Sequence, residues 1–129
     1  MDSIFDALRS TPIEQAQNNL QMTPQERTLY ERHLENLNGP GKVTNKDGSV
    51  STLYTMSVGG PGGRVYNIPT VYDGQIVPPV VAMDRAAQYG WNFFPSYPDV
   101  KTAESRYQQM HSYMHQDVGH FIQQRKTQP

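Results

Sequence analysis

Two histidines four residues apart, His111 and His115, stand in the stretch "HSYMHQDVGH", with Asp117 and His120 close behind. On a helix that spacing brings both imidazoles to one face, where such a pair can chelate zinc. A zinc-protease motif also needs a glutamate directly after the first histidine, and Ser112 stands there. At about 100° per residue, both histidines fall on the flank of a stripe formed by Tyr107, Met110 and Met114. The expectation is a pair of edge histidines and no metal site.

The stretch "SVGGPGGRV", residues 57–65, sets four glycines around one proline. A phosphate-binding loop needs Lys-Ser or Lys-Thr after its glycines, and a dinucleotide fingerprint needs Gly-x-Gly-x-x-Gly; both open a helix. Gly59, Gly60, Gly62 and Gly63 fit neither spacing, and a strand-like "RVYNI" follows. These glycines therefore read as the end of a β-hairpin. Glycoside hydrolysis needs two acids across a cleft. Glu31, Glu35, Asp73, Asp84, Asp99 and Glu104 are available, but no context singles out a pair. There is no Gly-x-Ser-x-Gly elbow and no cysteine. No catalytic residue and no cofactor site is assigned, and the chain reads as non-enzymatic.

The elements that would position these residues begin with a helical first third. In "DSIFDALRS" the residues Ile4, Phe5 and Leu8 share one face, and Asp2 or Ser3 can cap it. These three are the candidate partner-docking residues. Polar "EQAQNNLQ" separates them from the next element, so residues 1–22 are expected to form an arm that orders against another chain, the alternative being a short amphipathic helix laid on the same domain. Residues 23–38 carry strong helix signals: Thr23 as N-cap, Pro24 in the first turn and Glu26 closing a capping box. Leu29, His33 and Leu37 run along one stripe, with Tyr30 and Leu34 beside it. Asn38-Gly39-Pro40-Gly41 ends the helix, with glycine expected in the left-handed conformation.

Residues 39–122 read as an α+β module. Asn45-Lys46-Asp47-Gly48 is a turn, and residues 49–58 alternate, with Val50, Tyr54, Met56 and Val58 on one face and Leu53 interrupting the other. "GRVYNIPTV" is a second strand that Pro69 ends. "VVAMDRAAQYG" is a short helix stopping at Gly90. Trp91, Phe93, Phe94 and Tyr97 in "WNFFPSYPDV" are expected to cover an edge of the core and to form an exposed aromatic contact able to stack on sugars. A closing helix starts near residues 99–102. Its apolar stripe is Ala103, Tyr107, Met110, Met114, Val118 and Phe121, Gly119 weakens its end, and residues 123–129 form a tail.

Bulk properties bound the rest. A chain of 129 residues suits one domain with a core. Eleven basic against twelve acidic residues, a net charge of -1, argue against a general nucleic-acid binder. No run approaches the roughly 20 apolar residues of a membrane span, and "MDSIFDALRS" does not look like a secretory signal. The chain is expected to be made in a bacterial cytoplasm, with no membrane and no specific nucleic acid as partner. The fold expected is a small antiparallel sheet of two or three strands, covered on one face by the closing helix.

Residues 36–116 resemble a small module of bacteriophage and prophage virion-associated proteins. The resemblance rests on Asn45, Asp47, Gly48, Ser49, Ser51, Thr52, Thr55, Met56 and Ser57 in a first block. Ile68, Pro69, Thr70 and Val71 match a second, and Ala103, Tyr107 and His111 a third. It implies a place in a virion and no reaction. The expected function is a non-enzymatic structural component of a phage particle, in the tail, the head-to-tail region or the interior. Its expected partners are other virion proteins (portal, tail or head subunits), with multiple copies in a symmetric ring. The alternative is an accessory module of a cell-wall-degrading or DNA-ejection machine that binds peptidoglycan.

Overall fold

The structure, a computed structural model, describes residues 12–127. The candidate docking residues Ile4, Phe5 and Leu8 lie outside the described residues. Among the described residues, four helices and seven short strands follow in the order α1 (Pro12–Leu20), α2 (Pro24–Asn38), β1 (Val43–Thr44), β2 (Val50–Ser51), β3 (Met56–Gly59), β4 (Val65–Ile68), β5 (Val71–Tyr72), β6 (Gln75–Ile76), α3 (Pro79–Tyr89), β7 (Ser96–Tyr97) and α4 (Val100–Thr127). The fold is α+β, as the sequence leads one to expect.

Residues 12–22 do not form a separable arm. Ile13, Ala16 and Leu20 recur at helical spacing within the polar run, and Ile13 and Ala16 bury against Leu29, Tyr30, Met110 and Met114. Glu14, Gln15, Asn18 and Asn19 face outward. The link to α2 is fixed by Gln17, whose side-chain amide donates to the Met22 carbonyl at 3.0 Å. A buried isoleucine such as Ile13 is worth about 1.5–3 kcal/mol, and Ala16 lets α1 approach the core closely.

α2 begins as expected. The Thr23 hydroxyl accepts the Glu26 backbone N–H at 3.2 Å, and Glu26 Oε1 accepts the Thr23 N–H at 2.9 Å. It ends differently: Gly39 is extended, at φ -126° and ψ -165°, and no left-handed cap forms. The next turn brings Val43 opposite Ser51 and Thr44 opposite Val50, with Gly48 at φ +88°. The alternation expected over residues 49–58 breaks in the middle. Tyr54 takes φ +44° and is 63% exposed, while Leu53 turns inward to 1%. The carbonyls of both residues are held from across the fold, by the Thr70 N–H at 2.7 Å and the Thr70 hydroxyl at 2.6 Å.

The glycine-rich stretch is a hairpin turn. β3 and β4 pair antiparallel, with Val58 opposite Tyr66 and Gly59 opposite Val65, around a 3-10 turn at Pro61–Gly63. β7 adds to the other edge of β4, Val65 opposite Tyr97. α4 crosses this three-stranded sheet, and the buried Asn67 side chain ties the two together. Its amide donates to the Ala103 carbonyl at 2.9 Å, and its oxygen accepts the Ser57 hydroxyl at 2.6 Å. α3 stops at Gly90, φ +111°, and packs close through Ala82 and Ala86 against Tyr66, Ile68 and Phe94. α4 starts where the Asp99 carboxylate accepts the Thr102 N–H at 2.7 Å. It continues through Thr127, past the tail expected from residue 123. Among the described residues, no helix is long and apolar enough to cross a membrane.

Candidate functional site

His33 sits on the buried stripe of α2, and its two ring nitrogens have different partners. Nε2 lies 3.0 Å from Asp117 Oδ2 and Nδ1 lies 2.6 Å from the Thr52 hydroxyl. Tyr30, one turn earlier on α2, donates to the same Asp117 oxygen at 2.6 Å. A carboxylate only accepts, which puts the imidazole proton on Nε2 and makes Nδ1 the acceptor of the Thr52 O–H. Burial first, and then the Asp117 carboxylate, raise the Tyr30 hydroxyl far above the usual tyrosine range.

A hydroxyl, an imidazole and a carboxylate in series form the kind of relay that activates a nucleophile. Here it faces the interior. Tyr30 and His33 are 0% exposed, and Thr52 and Asp117 are 7% exposed. Fully hydrogen-bonded, these groups rigidify the joint between α2, α4 and the residue after β2, and His33 and Thr52 also line a cleft of ≈ 250 Å³ that reaches His111 and His115.

A second buried assembly centres on Glu26, 2% exposed. Its Oε2 accepts Arg106 Nε at 2.7 Å and the Tyr97 hydroxyl at 2.7 Å, and its Oε1 accepts Arg106 Nη2 at 3.2 Å. Burial alone would raise this carboxyl. The hydrogen bonds from Arg106, the Thr23 backbone and Tyr97, with the Arg106 charge, outweigh that and hold it below the usual range.

His111 and His115 lie on the flank of α4, both largely exposed, with their rings stacked at 6.2 Å and 28°. Burial, followed by the charges of His115 and His33, lowers the His111 pKa. Among the described residues, no group of three or more His, Asp or Glu side chains is placed to hold a metal ion.

The aromatic segment divides. Phe94 and Tyr97 are each 8% exposed and do not form the surface contact expected of them. Phe94 fills the core beside Ala82 and Ala86, and Tyr97 turns inward because its hydroxyl serves Glu26. Trp91 is half-buried, edge-on to Tyr66 with centroids 5.0 Å apart. Phe93 alone of the four stays open, at 60%. Beside it Tyr89 is 59% exposed, and the two stand over a groove of ≈ 360 Å³ lined also by Leu29, Phe94 and the α2 residues Arg32 and Glu35. Along the outer face of α3, Val80 at 73%, Met83 at 37% and the exposed Ala87 extend this apolar surface. Sequence reading missed it, although residues 80, 83 and 87 follow a helical period on the face opposite Ala82 and Ala86.

No protein-family model, curated protein or solved structure matches the chain.

Proposed function

We propose that the protein is a non-enzymatic structural component of a bacteriophage particle, acting through protein–protein contacts among several copies and other virion subunits. One observation carries the reading: large apolar side chains stand exposed along α3 and its end, at Val80, Met83, Tyr89 and Phe93, beside a groove floored by core residues. Such surfaces on a small domain mark contact sites. The ordered polar groups support it too, since both buried assemblies join helix to helix. The resemblance of residues 36–116 to virion-associated modules supplies the particle.

Mass spectrometry of purified particles, set beside the mass of the chain in solution, tests the reading. Stoichiometric presence in the particle is the expected result, and absence would sink it. Retention of the purified chain on bacterial cell wall would instead favour the wall-degrading or ejection machine. The burial of Phe94 and Tyr97 removes two of the four aromatics that reading relied on.

A further inference from the structure

Next to the apolar groove lies a second cleft, of ≈ 570 Å³, between α2, residues 40–41, the β5–β6 turn and α3. Two guanidinium groups meet there. Arg32 and Arg85 both lie over the Tyr72 ring, 4.4 and 5.0 Å from its centroid. Among the described residues neither has a carboxylate within 4.0 Å; the arginine–carboxylate pairs there are Arg27 with Glu31 and Arg106 with Glu26. One Arg32 nitrogen donates to the Val71 carbonyl at 3.1 Å, but its buried Nε has no hydrogen-bond partner among the described residues. Nor has the hydroxyl of Tyr72, a side chain only 5% exposed. Partly buried guanidiniums without an anion are costly to keep, and a carboxylate is the group their planar donors fit.

The cleft and the groove share Arg32, Glu35 and Tyr89, so they form one face, on which Leu29, Tyr89, Phe93 and Phe94 of the groove, lined also by Thr28 and Glu31, adjoin the two arginines of the cleft. Glu35 and Asp73, both exposed, line the same cleft, so its charge is concentrated where the two guanidiniums meet over Tyr72 rather than spread along it. The two acids would repel a run of phosphates, and they leave room for a single carboxylate beside an apolar anchor. Of the two ends of this chain, residues 125–129 carry Arg125 and Lys126, the wrong sign. Residues 2–8, "DSIFDAL", carry Phe5 between Asp2 and Asp6, with Ile4 and Leu8 adjacent.

We propose that residues 2–8 of a neighbouring copy dock on this face, with Phe5 in the groove at Tyr89 and Phe93 and Asp6 meeting Arg32 and Arg85. This rests on the reading of the protein as one that assembles by contact. It makes the contact head-to-tail, groove of one copy to leading segment of the next, an arrangement that gives a ring where the rotation closes and a filament where it does not. Charge complementarity sets the register, and the buried aromatic supplies most of the hold.

The test uses the full-length purified chain, with association followed by sedimentation velocity over a range of concentrations. A fluorescent peptide of residues 1–11 is titrated in parallel. Arg85→Glu and Asp6→Arg should each weaken association and peptide binding about tenfold or more, and the two together should recover most of the loss. Phe5→Ala should weaken self-association at least as much as either charge reversal. Asp6→Arg lies outside the described fold, so its effect does not depend on whether Arg85→Glu disturbs α3. A wild-type chain that stays monomeric at every concentration overturns the proposal, as does unchanged association in both single variants. Absence from purified particles is a separate readout, which would defeat the virion reading and leave this contact standing.

Discussion

The hydroxyl of Tyr30 donates to Oδ2 of Asp117 at 2.6 Å, joining residues 87 positions apart in the sequence. The same oxygen receives His33, so one carboxylate from α4 gathers two donors from successive turns of α2. Tyr30→Phe leaves Asp117 buried with one donor fewer, and the expected loss is about 1–3 kcal/mol in urea unfolding. Asp117→Asn should lose more than Tyr30→Phe, because it also strands His33. The two substitutions should fall short of additivity in a double-mutant cycle, and strictly additive values would show that the groups do not act together.

Acid should unfold the protein through Glu26. Its carboxyl is held below the ordinary value of 4.5 in the folded chain, so it binds its proton more readily unfolded than folded. The stability it contributes is complete above that value and is lost as pH falls from about 4.5 toward the lower folded value. Exposed Asp47 and Asp99 are lowered too, chiefly by side-chain hydrogen bonds with Ser49 and Thr102, and add to the slope. Glu26→Gln should melt lower than wild type at pH 7 and show a shallower decline in acid. An unchanged slope would place the acid sensitivity elsewhere.

The glycine-rich turn is not uniformly replaceable. A Cβ on Gly60 would sit 2.7 Å from Tyr66 Cδ1 and 3.3 Å from Trp91 Cε3, whereas one on Gly59 would meet nothing within 4 Å. Gly60→Ala should cost about 1–3 kcal/mol, because the buried Tyr66 ring cannot withdraw. Gly59→Ala should stay within about 0.5 kcal/mol of wild type. Equal effects in thermal melts would contradict this packing.

His111 and His115 stack without a third ligand near them among the described residues. Melting temperature should shift neither with added zinc nor with chelator. A rise of several degrees with zinc would establish a site.

Val80→Glu combined with Met83→Glu should leave the chain folded at a cost of about 1 kcal/mol, since Val80 is 73% exposed and Met83 37%. Incorporation into particles should fail. Normal incorporation would mean that the outer face of α3 makes no contact there.

How much of this was legible in the sequence depended on range. Thr23, Pro24 and Glu26 announced the start of α2, and Gly90 the stop of α3, because caps and breakers act within a turn of the residues they govern. The hairpin at Gly59–Gly63 was visible for the same reason. The break at Leu53 and Tyr54 was not, because it depends on donors from Thr70 that no local alternation records. Ile13, Ala16 and Leu20 were too few among polar neighbours to outweigh them. The roles of His33 and Glu26 were hidden most deeply. A polar residue on a helical stripe carries no mark of a counterpart such as Asp117 or Arg106, 84 and 80 positions away.

Glu26 meets Arg106 near the start of both helices, while His33 meets Asp117 farther along each. α2 and α4 therefore run in the same sense and are clasped twice. To slide by one turn, about 5.4 Å, α4 would have to break both clasps at once, leaving Glu26, Tyr30, His33 and Asp117 buried without these partners. No hairpin can bring two such helices together; everything from β1 to β7 must first be thrown out as a closed excursion between them. The helical layer, usually the quick part of a small protein, is here the part that must wait for loop closure.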